Sequence, residues 1–337
     1  MRAIGYRHNL PLSDANALIP LELSRPHPTG HDLLVEVRAV SVNPVDVKVR
    51  ANVAPAHGQE RVLGFDAAGV VVATGPDVTL FHPGDAVFYA GDINRPGSNA
   101  EFQLVDERIV GRKPESLDFA AAAALPLTSL TAYEMLFDRL RIPAGGGEGR
   151  SLLILGGAGG VGSIAIQLAR KLTGLKVIAT ASRPETTAWV QEMGAHAVID
   201  HSGKLEDALA STGLAAPDYV FSTNGTAAHF PSIAALLAPQ GHVGVIDDPD
   251  MIDVRLLKRK SAALHWEFMF TRAAFGTPDM ARQHEILSEL AVLVDAGTIR
   301  STVTEVLGLI DAPTLRKAHA LIESGKARGK IVLEGFV

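Results

Sequence analysis

The stretch "LLILGGAGGVGSIAIQLAR" (residues 152–170) constrains the fold more than any other segment. Gly157, Gly159 and Gly162 stand in G-x-G-x-x-G spacing between an apolar run and a helix-period pattern. "SLLIL" (151–155) reads as a buried strand, and the residues after the glycines put Val161, Ile164, Ala165, Leu168, Ala169 and Leu172 on one helix face. In such a strand–turn–helix, Gly157 permits the tight turn, Gly159 lets the backbone approach a pyrophosphate, and Gly162 lets the helix pack closely on the strand. The free N–H groups at the helix start then face the pyrophosphate. Gly157, Ala158, Gly159, Gly160, Val161 and Gly162 are therefore the expected dinucleotide-binding loop.

The surroundings carry the same rhythm. Strand-like runs at 151–155, 176–181, 197–200, 218–223, 241–246 and 261–268 alternate with helical segments such as 184–193, 204–211 and 227–237. This predicts an α/β unit with a doubly wound parallel sheet over residues 128–265. The first 115 or so residues differ: short alternating strands such as "DLLVEVRAVSV" and "DAVFYAG" are punctuated by "GPD" and "HPGD" turns, which predicts a small β-barrel. After residue 268 a helix near 279–296 and a last strand, "GKIVLEG", follow. The sheet domain is thus expected to be inserted into a β-rich domain of residues 1–127 and 266–337, as befits 337 residues and roughly two cores.

Composition narrows the function. A net charge of −6 leaves no basic surplus for neutralising phosphates and argues against nucleic acid. The absence of cysteine excludes disulfides, a Cys nucleophile and any thiolate zinc site. The first ten residues lack the apolar core of a signal peptide, and the longest uncharged run, 119–133, contains Pro126 and is too short to span a bilayer. A soluble, cytoplasmic protein with no membrane partner is expected.

The end of the second sheet strand bears on which dinucleotide fits. NAD sites place an acid about 20 residues after the glycines to accept from the ribose hydroxyls. Here "ATASRPET" offers Ser182 and Arg183, which can bind a 2′-phosphate, so NADP(H) is the expected cofactor; the alternative is that Arg183 is an exposed loop residue. No G-x-x-x-x-G-K-[ST] loop is present, and no tyrosine has a lysine four residues on, which sets aside P-loop NTPases and short-chain reductases.

The run "VLGFDAAGVVVATGPDVTLFHPGDAVF" (62–88), with Gly64, Asp66, Gly69, Gly75, Val78, Gly84, Asp85 and Val87, resembles the signature of the medium-chain dehydrogenases/reductases, the zinc-type alcohol dehydrogenase superfamily. "AALPLTSLTAYEML", "GGAGGVG" and "GKIVL" also match in order, so the resemblance covers essentially the whole chain. It implies a GroES-like β-barrel catalytic domain interrupted by a Rossmann domain, and a homodimer. At the family's three catalytic zinc-ligand positions this chain has Asn43, Phe65 and Leu127, and the four-cysteine structural lobe has no counterpart. None is a good zinc ligand, so no metal is expected.

Without a Lewis acid, alcohol oxidation loses its means of stabilising an alkoxide. Hydride transfer from NADPH to an electron-poor quinone or activated enone remains, since the developing oxyanion then needs only hydrogen bonds. The resemblance is strongest to the quinone-oxidoreductase-like branch. An enoyl-thioester or 2-alkenal reductase, and a non-catalytic NADPH sensor, are the competing readings.

Asn43, at the vacated ligand position, is the expected amide donor to an acceptor oxygen, and Tyr89 the expected hydroxyl; the alternatives are a turn Asn before Pro44 and a half-buried strand Tyr. The resemblance also puts Asp46 near the site. It places Thr131 on the nicotinamide side, unless it only caps a helix, and His201 near the adenosine phosphate. Asn224, Thr226, Ile246 and Asp247 stand at strand ends where parallel sheets bind ligands. His265 in "ALHWEFMF" either faces substrate or lies in an edge strand.

Overall fold

Alternation of apolar and polar residues, broken by Gly and Pro turns, builds the first of two units, Met1–Leu130 with Phe270–Val337. The structure is a computed structural model and describes residues 1–336. The amino-terminal strands of this unit are β1 (Arg2–Tyr6), β2 (Ile19–Glu22), β3 (Asp32–Val42) and β4 (Arg61–Val62). They are followed by β5 (Asp66–Thr74), β6 (Ala86–Tyr89), β7 (Phe102–Asp106) and β8 (Val110–Arg112). The helices of this amino-terminal part are α1 (Pro44–Asn52), α2 (Phe119–Ala123) and the start of α3 (Pro126–Tyr133).

A seven-stranded sheet carries β3 as its backbone, paired antiparallel with β5 and β7. Two register shifts along the β3–β5 ladder fall between Leu34 and Val35 and between Val37 and Ala39, irregularities of the kind that bend a sheet. Gly69 is obligatory in this ladder, because a Cβ there would stand 2.2 Å from the Glu36 carbonyl oxygen. A three-stranded sheet, β2-β1-β4, completes the amino-terminal part.

The second unit, Thr131–Met269, is the parallel-sheet domain. It contains β9 (Ser151–Leu155), α4 (Gly160–Leu172), β10 (Lys176–Thr180), α5 (Pro184–Glu192), β11 (Ala197–Ile199) and α6 (Leu205–Ala210). Then come β12 (Tyr219–Ser222), α7 (Thr226–Leu236), β13 (His242–Val245) and β14 (Ala263–Trp266). The order across the sheet is β11-β10-β9-β12-β13-β14, every pair parallel, so the strand order reverses between β9 and β12. Open α/β sheets bind ligands at such a reversal, outside the carboxyl ends of the strands. The core on one face packs Leu153, Ile178, Val220 and Val243 against Leu205, Phe230 and Ile233 of α6 and α7.

The chain then returns to the first unit with α8 (Thr271–Phe275), α9 (Arg282–Asp295), β15 (Val303–Val306), α10 (Ala312–Glu323) and β16 (Lys330–Glu334). β16 pairs antiparallel with β3, so the last strand of the chain closes onto the first unit's central strand. The apolar run ending at Tyr133 continues helically to Arg139, giving 21 residues long and apolar enough to cross a bilayer by length and composition. This corrects the expectation that the run is too short. Its most apolar window is 83% buried in the fold, as a core helix is.

Candidate active site

In the parallel-sheet unit the glycine loop joins β9 to α4 at the point of strand-order reversal. The turn glycine is Gly156, with φ +72°, and not Gly157 as the spacing predicts. Gly157 is needed for packing instead, since a Cβ there would meet the Ala179 side chain at 2.9 Å. Gly162 holds the helix against the loop: a Cβ would lie 2.4 Å from the Gly156 carbonyl oxygen.

Gly159 is different. A Cβ there would meet nothing closer than the Gly156 oxygen at 3.5 Å, an ordinary contact, and its φ of −72° suits any residue. The protein's own packing therefore does not require glycine at this position. What a side chain would fill is open space in front of the first N–H groups of α4, the cradle a pyrophosphate occupies. Ala158, Gly160 and Val161 are only partly buried beside it. The loop residues fit a dinucleotide.

The other expected cofactor residues divide in two. Ser182 is exposed and Arg183 half-buried just beyond β10, next to β11, whose continuation carries the half-buried His201. Burial lowers the His201 pKa, and the ring stands edge-on to His229 at 6.2 Å. Arg183 pairs with Glu185 (Nε to Oε1, 2.9 Å). Asn224 is exposed after β12, and Ile246 and Asp247 are half-buried after β13. Thr226 does not offer its side chain to a ligand. It is fully buried, its hydroxyl lies 2.7 Å from that of Ser222 and bonds Asp247, and its N–H donates to the Asp247 carboxylate at 2.9 Å. Thr226 thus positions Asp247. Thr131 is 5% exposed within α3.

In the first unit the vacated ligand position has a different content from the one expected. Asn43 is 1% exposed and both ends of its amide are committed. Its Nδ2 donates to Asp66 Oδ2 at 2.8 Å and to the Ser41 carbonyl at 3.3 Å, and its Oδ1 accepts from the Lys330 ammonium. A saturated, buried amide has no proton left for an acceptor, so Asn43 is not the free donor that its position implies. Lys330, 3% exposed, also donates to Asp66 Oδ2 at 2.9 Å and to the Val42 carbonyl at 3.3 Å. The second Asp66 oxygen accepts the Leu127 N–H at 2.8 Å.

Asp46 completes the cluster: its carboxylate accepts the Asn43 N–H at 2.8 Å and the Gly64 N–H at 3.0 Å. Full burial pushes its pKa up to about 7, against the opposing pull of those N–H groups and Lys330. Tyr89 is also not a cleft hydroxyl. It is completely buried, its oxygen has no hydrogen-bond partner, and burial drives its pKa well above the phenol value.

Lys330 and Asp66 are separated by 264 residues, and no periodicity links them. The only local signal is a lysine opening the otherwise apolar "KIVL", a charge at the start of a buried strand.

A zinc ion does not fit these residues. The one oxygen at the first ligand position, Asn43 Oδ1, already faces an ammonium that would repel a dication. Phe65 at the second position packs edge-on against Phe270 with ring centroids 5.2 Å apart, and Leu127 at the third has no donor atom on its side chain. Among the described residues, no group of three His, Asp or Glu could hold a metal.

Residues 29–115 match the alcohol dehydrogenase GroES-like domain family, and residues 193–333 match the family described as zinc-binding dehydrogenase. A zinc-type alcohol dehydrogenase-like protein of Staphylococcus epidermidis is 42% identical over 336 residues, covering 99% of both chains. The crystal structure of a putative zinc-dependent alcohol dehydrogenase from Rhizobium etli is 58% identical, with a TM-score of 0.96 over 100% of this chain and 98% of that one. The quinone oxidoreductase of Coxiella burnetii is 26% identical, with a TM-score of 0.80 over 99% of each chain. The parallel-sheet order, the GroES-like domain and full-length relatives agree, and the chain belongs to the medium-chain dehydrogenase/reductase family, as an oxidoreductase of the alcohol dehydrogenase superfamily.

Proposed function

We propose that this chain is an NADPH-dependent reductase that works without a metal on electron-poor acceptors, quinones or activated enones. The observation that carries this reading is the Lys330–Asp66–Asn43 cluster at the vacated ligand position. With no Lewis acid there, an alkoxide has no stabilising partner at neutral pH. An acceptor already short of electrons needs only hydrogen bonds as its oxygen gains charge. The likeness to a quinone oxidoreductase fold points the same way.

When bound, the nicotinamide supplies a hydride. The loop from Gly157 to Gly162 would hold the pyrophosphate, with Thr131, Ile246 and Asp247 toward the nicotinamide and its ribose, and Asn224 at the intervening strand end. Ser182 and Arg183, with His201 beyond the neighbouring strand, would take the adenosine 2′-phosphate. The Arg183–Glu185 pair is surface-exposed and worth at most about 1 kcal/mol, so it yields readily to a dianion. Asn43 serves as the link between Lys330, Asp66 and the start of α1, and not as the donor.

The edge strand β14, with Trp266 51% and Phe268 49% exposed on either side of Glu267, supports pairing with a second copy of this chain. An acceptor panel tests the function: NADPH oxidation with quinones and enones, and none with simple aliphatic ketones, is expected. Turnover confined to unactivated ketones, or to enoyl thioesters, would overturn the acceptor class.

A further inference from the structure

One peptide of the glycine loop has no side chain of its own to hold it. Gly159 and Gly160 are adjacent and both lack a Cβ, so turning over the peptide between them meets little steric resistance. Its orientation matters, because the C=O and N–H of a trans peptide point opposite ways. With the Gly159 carbonyl directed into α4, the Gly160 N–H is directed out of the helix start, toward the pyrophosphate cradle.

That carbonyl is held by two donors from one residue. Ser163 is completely buried; its backbone N–H donates to the Gly159 oxygen at 2.9 Å and its Oγ–H to the same oxygen at 2.7 Å. The first is the ordinary opening bond of a helix, and the second is additional. A serine hydroxyl has a single proton that can rotate. Here its direction is set from outside α4. The Trp189 indole N–H, which can only donate, points at Ser163 Oγ from 2.8 Å, leaving the hydroxyl proton for Gly159.

Trp189 is buried in α5, and its neighbour Val190 also packs on the loop, with Cγ1 3.2 Å from where a Cβ on Gly157 would stand. Arg183 stands at the N-cap of the same helix. One short helix thus carries the expected 2′-phosphate residue at its start and braces the pyrophosphate loop from its middle.

Resting on the dinucleotide reading, we propose that Ser163 and Trp189 are positioning residues for the cofactor. The chain from the Trp189 indole through the Ser163 hydroxyl to the Gly159 carbonyl holds the Gly159–Gly160 peptide with its N–H toward the pyrophosphate. Both residues act through this peptide and not on the ligand. An anion accepted by the Gly160 N–H polarises the same peptide and strengthens the chain on its far side.

Calorimetry of the intact protein with NADP+ and with adenosine 2′-monophosphate, which has no pyrophosphate, tests this role. Ser163→Ala should weaken NADP+ binding by about tenfold, the scale of one hydrogen bond to a charged group, and Trp189→Phe by about threefold. Both variants should bind adenosine 2′-monophosphate as the wild type does, whereas general damage around α5 would weaken both ligands. The double variant should bind NADP+ no more weakly than Ser163→Ala, because Trp189 acts through Ser163. A further readout needs neither variant. The chain has two tryptophans, so Trp266→Phe identifies the Trp189 indole N–H in a 1H–15N spectrum. NADP+ should shift that resonance, and adenosine 2′-monophosphate should leave it in place. An unmoved resonance at NADP+ saturation, equal losses for the two ligands, or additive losses in the double variant overturns the positioning role. A wild type that binds no NADP+ overturns the dinucleotide reading itself, and this proposal with it.

Discussion

His319 gives the account a quantitative test that involves no ligand. It lies in α10, is completely buried, and neither ring nitrogen has a hydrogen-bond partner. Burial, with a smaller contribution from the Arg50 charge, lowers its pKa to about 3. An unfolded-chain histidine titrates near about 6.5. Between these values the unfolded chain binds the extra proton, so stability is lost as pH falls through about 6.5 and continues to fall toward the folded-state value. At about pH 5 the loss relative to about pH 7.5 is RT ln of roughly thirty, or about 2 kcal/mol. That figure barely depends on the folded value, because the folded imidazole is neutral at about pH 5 for any pKa below about 4.

Two units need not unfold together, so the appropriate assay is native-state hydrogen exchange of the α10 amides, with urea to promote global opening. His319→Leu should lose about 2 kcal/mol less opening free energy than the wild type between these pH values. The variant should also be the more stable at about pH 7.5, having no unpaired ring nitrogen to bury. Equal pH slopes in the two proteins would refute the reasoning.

Other consequences are equally direct. Gly159→Ala should leave thermal stability unchanged yet weaken NADPH binding by at least about tenfold in calorimetry, or ~1.4 kcal/mol, whereas Gly162→Ala should cost about 1–3 kcal/mol of stability through the 2.4 Å clash. Lys330→Met leaves the Asp66 carboxylate buried and unpaired and should destabilise the first unit by about 3–5 kcal/mol in urea titrations, with Asp66→Asn recovering part of this in the double variant. Arg183→Ala should weaken NADPH binding much more than NADH binding; equal losses would remove the phosphate role.

Much of the sheet domain is legible from local sequence because its determinants are local. The six apolar runs are strands in the predicted order of chain, and the glycine loop joins the first to its helix. Even there, spacing alone does not reveal that Gly156 makes the turn while Gly157 packs on Ala179, since both are glycine and only φ separates them. The first unit hides more. Asn43, Asp66 and Lys330 come from the end of β3, the start of β5 and the start of β16, and are brought together only when β16 closes on β3. An Asn before Pro44 reads equally as a turn, a donor or a buried link, and the difference lies in which side chains arrive from far along the chain. The same holds for Tyr89, whose alternating strand does not say that both faces are covered.

The central claim is hydride transfer from NADPH without a metal. Its most direct test is NADPH oxidation by chelator-treated, metal-analysed protein with ortho- and para-quinones, with NADH run in parallel. Quinone-dependent turnover at full rate in metal-free protein, faster with NADPH than with NADH, is the predicted result. Activity that appears only when zinc is added back would contradict it.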